Sequence, residues 1–154
     1  MLFKRESFIG FDFFWYAVDS VGAVAQFETG YAPIPEKVFS NEQEYKIIDE
    51  YLSNLPNKTN TYLSPKYEKL KKRSLNQFQT FLEDRRGLYL FADDLHEHPN
   101  GTDEYELIVL PELELKVFDL PQKIQDYLAQ FVFDNIIFKE VRKIKIANYF
   151  DFKK

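Results

Sequence analysis

The chain has 154 residues and a formal net charge of −5, and 45% of its residues are hydrophobic and 18% aromatic. This length and apolar content predict one folded domain with a sizeable core. The absence of cysteine excludes a disulfide scaffold, a thiolate nucleophile and a thiolate zinc site. Charged residues at positions 4–6 interrupt the apolar run that a signal peptide needs, and no stretch suits a membrane span. We therefore expect a cytoplasmic protein that does not bind a membrane.

A β-hairpin is predicted near the N-terminus. Residues 11–19 are rich in aromatic and β-branched types, and residues 22–29 alternate apolar residues with smaller or polar ones. Between the two segments, Asp19 is a turn former and Gly22 suits a backbone with positive φ. Both faces of the first strand are apolar, so we expect it to be central in its sheet or covered on both sides.

An amphipathic helix is predicted after the hairpin. Pro33 and Pro35 come first and favour an extended crossing segment, because proline cannot donate to a strand ladder. Ser40 then suits a helix N-cap, apolar residues recur at helical spacing, and Pro56 ends the run. Residues 57–63 are predicted to form a loop.

A second, longer helix is predicted to begin at Ser64 and Pro65 and to end before Gly87. Its outer face is basic, and more bases lie near the C-terminus: Lys66, Lys69, Lys71, Lys72 and Arg73, then Lys139, Arg142, Lys143, Lys145, Lys153 and Lys154. Nucleic-acid binding usually accompanies a basic overall balance, whereas this chain has a pI near 5.1. We therefore predict solvated surface and no nucleic-acid partner.

The second half of the chain is predicted to contain mainly strands. Residues 88–92, 105–110 and 113–118 have strand composition, a short helix opens at Leu120 and Pro121, and residues 131–146 suit one or two further strands. Strands at both ends of the chain with helices between them favour an α+β domain. We expect a mostly antiparallel sheet with two main helices packed on it.

Acidic residues are concentrated in one segment of the second half. Residues 87–115 contain no Lys or Arg, and they hold eight carboxylates. Such a segment suits a basic protein partner, because complementary charge speeds association and disfavours wrong partners. Tyr89 or Tyr105 would supply aromatic anchors if exposed. The predicted partner-binding residues are Asp93, Asp94, Glu97, Asp103, Glu104 and Glu106.

The same segment offers an alternative, a divalent-metal site at Asp94, His96 and His98. In an extended backbone these three side chains project to one side, as three ligands of a metal would. A solvated acidic loop explains the same residues, since Pro99, Asn100 and Gly101 are typical of turns. The chain has no Gly-rich phosphate loop, G-x-S-x-G or H-E-x-x-H motif. We therefore expect no cofactor and favour a binding protein over a metal-dependent enzyme.

The hairpin residues also carry a resemblance. Residues 15–27, from Trp15 through Ala17, Asp19 and Gly22 to Phe27, follow an aromatic-Ala-x-Asp-x-x-Gly pattern. This pattern resembles the N-terminus of a group of small, mostly uncharacterised bacterial proteins that are similar to immunity proteins of polymorphic toxin systems. The resemblance covers about a quarter of the chain and implies an inhibitor that binds a toxin domain, with no catalytic residue.

Overall fold

The fold is described by a computed structural model that covers residues 2–65, 82–93 and 103–152. The α-helices whose bounds fall within these residues are α1 (Glu42–Ser53) and α2 (Gln122–Leu128). Single turns of 3₁₀ helix, among them Arg5–Phe8 and Glu36–Phe39, connect several elements. The strands are β1 (Phe13–Val18), β2 (Val24–Thr29), β3 (Thr61–Leu63), β4 (Tyr89–Ala92), β5 (Glu104–Pro111) and β6 (Lys143–Lys145).

The six strands form one mixed sheet in the order β1-β2-β4-β5-β3, with β6 also paired to β5. Only β2 and β4 run parallel, and the other pairs are antiparallel. The predicted α+β class and mostly antiparallel sheet are therefore confirmed. Strand β1 lies at the end of this order and is not central. Its side chains are nevertheless mostly buried, and Val18 pairs with Val132, so β1 is a covered strand.

The predicted hairpin is confirmed, with Phe13 opposite Thr29 and Val18 opposite Val24. Its turn depends on Asp19, whose side chain is 2% exposed. The Asp19 carboxylate accepts hydrogen bonds from the N–H groups of Val21, Ala23 and Phe138, at 3.1, 2.9 and 2.9 Å. Gly22 has φ +90°, which favours glycine because a Cβ would clash with the backbone. Asp19 and Gly22, two residues of the sequence pattern, therefore stabilise the hairpin turn.

Stacked aromatic rings fill the core beneath the sheet. The ring centroids of Trp15 and Phe27 are 4.3 Å apart, and those of Phe27 and Phe91 are 4.9 Å apart. Phe138 completes this column from the C-terminal segment, 5.3 Å from Phe91. All four side chains are fully buried. Much of the high aromatic content therefore belongs to the core, where offset and edge contacts add to apolar burial.

Helix α1 is confirmed, with a shift of one residue at its start. Asn41, rather than Ser40, is the N-cap, and its side chain accepts from the N–H of Glu44 at 3.0 Å. Asn41 has the extended backbone that an N-cap requires, whereas Ser40 ends the preceding 3₁₀ turn with a helical φ and ψ. Tyr45, Ile48 and Leu52 form the buried face.

Two predictions for the remaining regions need correction, one agrees with the structure and one lies mostly outside the described residues. The loop predicted over 57–63 contains β3, which pairs with β5. The strand predicted over 113–118 is absent: these residues form a single bridge at Lys116 and the start of a 3₁₀ turn at Val117, and Phe118 is 71% exposed. The region 131–146 contributes only β6 as a regular strand. The helix predicted from Ser64 onward falls mostly on residues outside the described ones.

Candidate functional site

The described part of the predicted acidic face lies at one end of the β4–β5 pair. Asp93 follows β4 directly, and Asp103 and Glu104 stand at the start of β5, whose Glu106 is opposite Ala92. The fold therefore brings the two ends of this acidic segment together. Asp94 and Glu97 of the predicted face, and His96 and His98 of the metal alternative, lie outside the described residues.

Asp93 holds the segment that follows β2. Its Oδ2 accepts hydrogen bonds from the N–H groups of Tyr31 and Ala32 at 2.7 and 2.8 Å. Both of its oxygens also accept from Gly30, at 3.1 and 3.0 Å. A carboxylate that accepts several backbone N–H groups positions those groups strongly. Asp93 thus fixes the course of the chain as it leaves the sheet.

Arg5 holds the same segment from its carbonyl side. Its buried guanidinium donates from Nη2 to the carbonyl oxygens of Ala32 and Gly30, at 2.9 and 3.4 Å. The N–H groups of this segment therefore bond to a carboxylate, and its carbonyls bond to a cation. The side chain of Tyr31, between these two anchors, is 42% exposed.

The acidic residues of β5 are matched by bases within the chain. In the β5–β6 register, Glu104 stands opposite Lys145 and Glu106 opposite Lys143. Asp103 forms an ion pair with Lys145, with a separation of 3.3 Å. Glu106 is only 6% exposed, and its Oε2 lies 3.9 Å from the Nε of Arg142. Arg142 and Lys145, two of the bases near the C-terminus, therefore lie beside acidic residues of the segment 87–115. The linear sequence did not indicate this pairing.

Tyr89 and Tyr105 are not surface anchors. They are 2% and 0% exposed, because both belong to central strands of the sheet. The Tyr105 hydroxyl donates to the carbonyl of Pro33 at 2.8 Å and also lies 2.7 Å from Thr29 Oγ1. Trp15 Nε1 donates to this hydroxyl at 3.1 Å. Both tyrosines belong to the core, so neither can contact a partner at the surface.

Exposed aromatic side chains instead lie where β1 begins and β2 ends. Phe11, just before β1, is 61% exposed, and Tyr31 lies just after β2. The two connecting segments touch: the N–H of Gly10 donates to the carbonyl of Gly30 at 3.0 Å, and the Tyr31 ring lies beside Gly10. Ile9 is also exposed there. We define the open-end surface as Phe11, Asp12, Glu28, Tyr31 and Asp93.

The open-end surface is acidic as well as aromatic. Burial, and then the neighbouring charges of Asp12 and Asp93, raise the pKa of Glu28 from its ordinary 4.5 to about 7. Burial is the largest cause of this shift, and the charges of the two nearby carboxylates add to it. Among the described residues, no ion pair is found for Asp12 or Glu28. Asp12 and Glu28 therefore have no cationic partner among the described residues, whereas Asp93 is held by backbone N–H groups.

Sequence reasoning missed four members of this surface: Phe11, Asp12, Glu28 and Tyr31. The available signal was the predicted hairpin itself, because residues just outside two paired strands meet at the same end of the sheet. Phe11 was instead included in the first strand. The parallel pairing of β2 with β4, which brings Asp93 beside this end, could not be foreseen from short-range patterns.

Within residues 2–65, 82–93 and 103–152, no group of three or more His, Asp or Glu side chains is placed to hold a metal ion. In the same ranges, no helix has the length and apolar character needed to cross a membrane.

Comparisons with protein-family models, with curated proteins and with solved structures found no significant match. The fold defines the chain as an α+β domain with a mixed, mostly antiparallel sheet.

Proposed function

We propose that the protein is a non-enzymatic binding domain whose open-end surface captures a basic protein partner, and that this partner is a bacterial toxin domain. The observation that carries the proposal is the exposure of Phe11 and Tyr31 beside the carboxylates of Asp12 and Glu28. The resemblance of the hairpin to immunity-like proteins supports the choice of a toxin as partner.

Aromatic exposure supports a protein partner rather than a small substrate. Phe11 is 61% exposed and Tyr31 is 42% exposed, whereas the core rings of Trp15, Phe27 and Phe91 are fully buried. Aromatic side chains are enriched at the centres of protein interfaces, where their burial contributes strongly to affinity. Two exposed rings fixed to a hydrogen-bonded backbone provide preorganised anchors, so little conformational entropy is lost on binding.

Charge supports a basic partner. The raised pKa of Glu28, about 7, reflects burial and repulsion from Asp12 and Asp93. A Lys or Arg of the partner placed near Glu28 would relieve this repulsion and favour the ionised carboxylate. The carboxylates of β5 are weaker candidates for this contact, because Asp103 and Glu106 already face Lys145 and Arg142. The proposal therefore places the recognition at the open end and not along β5.

The experiment expresses the products of the genes adjacent to this one in bacteria, each with and without the protein, and identifies any that are toxic when expressed alone. Wild-type protein should restore growth and bind the purified toxic domain in a titration. Phe11→Ser/Tyr31→Ser should lose both effects, because the two anchors are removed. Phe118→Ser is the matched control, since Phe118 is an exposed aromatic residue, 71% accessible, at the opposite end of the hairpin.

A second variant pair tests charge. Asp12→Lys should weaken binding and lower the association rate, and the effect should shrink as salt is added. Asp119→Lys makes the same charge change at an exposed residue outside the open-end surface and should leave binding unchanged. The proposal is wrong if no neighbouring toxic domain is neutralised, or if the Phe118 and Asp119 variants lose binding as fully as the open-end variants.

A further inference from the structure

A cavity of about 520 Å³ lies where three segments of the chain meet, and none of its lining residues belongs to the open-end surface. These segments are residues 3–6, 34–40 and 149–151. They are tied together by a hydrogen bond of 2.8 Å from the N–H of Glu36 to the carbonyl of Asp151. Small-molecule sites typically have volumes of roughly 300–1,000 Å³. The cavity is therefore large enough for a ligand of one or two rings.

The apolar part of the cavity lining consists mainly of aromatic side chains. Phe3 and Phe39 line it with their ring centroids 5.2 Å apart, and Ile34 and Phe150 line it as well. Phe150 also makes an edge contact with Trp15, the only tryptophan of the chain, at 6.4 Å. Such a lining favours a planar ring through offset and edge contacts. Trp15 lies close enough to report on a ligand that reaches Phe150.

The charges around the cavity favour an anion. Arg5 lines it and is 9% exposed, and burial lowers its pKa although nearby Tyr105, Asp93 and Glu6 oppose that change. Its described hydrogen bonds go to two neutral carbonyls, and its Nη1 has no partner. A buried charge is screened less than an exposed one. Arg5 therefore places a weakly screened positive charge in the cavity lining.

Exposed charges surround the cavity and are mixed in sign. Lys4 and Lys37 line it together with acidic residues, and none of these side chains forms an ion pair among the described residues. The exposed acids, Glu6, Glu36 and Asp151, are screened by water, so they oppose the buried Arg5 only weakly. Lys4 and Lys37 are long enough to bend toward a bound anion.

We propose that this cavity binds a small aromatic anion, with its ring against Phe3 and Phe39 and its negative group held by the charges of Lys4, Lys37 and Arg5. This site is separate from the open-end surface and does not depend on the proposed protein partner. Arg5 nevertheless bonds to the backbone beside Tyr31, so an occupied cavity would lie next to an anchor of the open-end surface.

The test compares two fluorescent probes of similar shape, 1-anilinonaphthalene-8-sulfonate, which is anionic, and N-phenyl-1-naphthylamine, which lacks the sulfonate. We expect the anionic probe to bind the native protein saturably with one equivalent and to change Trp15 emission. The neutral probe should bind at least about tenfold more weakly, because a charge-assisted contact is lost. Equal binding of the two probes, or no saturable binding of the anionic one, would overturn the proposal.

Two variant pairs locate the probe. Ser40→Phe places a ring at an exposed lining residue and should abolish binding, whereas Gln43→Phe adds the same ring to the exposed face of α1 and should not. Lys4→Glu/Lys37→Glu should weaken the anionic probe at least about tenfold more than Lys46→Glu/Lys123→Glu, which makes the same charge change elsewhere. Circular dichroism checks that each variant is folded. Equal behaviour within either pair would place the probe outside the cavity and overturn the proposal.

Discussion

An aspartate carboxylate holds the backbone at each end of the β1–β2 hairpin, but the two carboxylates differ in how deeply they are buried. At each end, an aspartate carboxylate accepts backbone N–H groups from three residues: Asp19 at the turn and Asp93 at the open end. Asp19 is 2% exposed and ties the turn to Phe138 deep in the core. Asp93 is only half-buried and lies beside the exposed side chain of Tyr31.

The difference lies in what surrounds each carboxylate. The turn end is enclosed by the C-terminal segment, so the hydrogen bonds of Asp19 serve stability. At the open end, carboxylates crowd around Glu28 and aromatic side chains face solvent. Loop residues held by a rigid scaffold are the usual place for binding functions. The comparison indicates that one end of the hairpin supports the fold and the other presents a surface.

Replacing Asp19 should give the largest loss of stability. Asp19→Ala leaves the N–H groups of Ala23 and Phe138 buried without their acceptor. Each unsatisfied buried donor costs about 1–3 kcal/mol, so we expect a loss of about 3–5 kcal/mol in the free energy of unfolding. Urea denaturation measures this loss. A loss below about 1 kcal/mol would show that the turn end does not depend on this carboxylate.

Asp93→Ala should cost less, about 1–2 kcal/mol by urea denaturation. It removes the acceptor of three N–H groups, as Asp19→Ala does, but water can reach part of the site and replace the lost acceptor. Tyr31 amide protons should then exchange faster with solvent than in the wild type. A loss as large as that of Asp19→Ala would remove the proposed difference between the two ends.

Glu28 should make the free energy of unfolding depend on pH between its ordinary pKa of 4.5 and its folded-state pKa of about 7. Its pKa is about 7 in the folded protein against an ordinary 4.5, so the folded state holds the proton more tightly. Folding stability therefore falls as pH rises through this window. After allowance for solvent screening, Glu28→Gln should be about 1 kcal/mol more stable than wild type at pH 8, with a smaller gain at pH 5. Urea denaturation at both values tests this, and equal gains would contradict it.

The smallest stability effects should come from the exposed rings. Phe11→Ser and Phe118→Ser should each change the free energy of unfolding by less than about 0.5 kcal/mol, because these side chains are 61% and 71% exposed. Thermal unfolding would reveal a larger loss in either variant. Such a loss would mean that the ring stabilises the fold, and that variant could then not be used in the binding experiment.

Local patterns in the sequence were sufficient for elements held together by short-range physics. The hairpin needed only strand composition, a turn-forming Asp19 and a glycine at Gly22. Helix α1 needed an apolar stripe and a terminating proline, and β4 and β5 needed only their apolar runs. The acidic segment was also evident from charge alone.

Strand predictions were wrong where a segment of strand composition found no neighbouring strand, or where a segment without that composition did. Residues 113–118 have strand composition, yet they form only one bridge, at Lys116. Strand β3 has weak composition and forms because β5 offers it an edge. Tyr89 and Tyr105 were candidate anchors only if exposed, and the sheet order buries both.

The sequence by itself determined the fold class, the hairpin and the concentration of acidic residues, because each depends on neighbours within a few positions. Only the tertiary structure decided which acidic residues remain uncompensated. It placed β6 opposite the acids of β5 and brought Asp93 to Glu28 through the parallel β2–β4 pair. Contacts between residues some 40 to 65 positions apart depend on packing and strand order, so no local pattern encodes them.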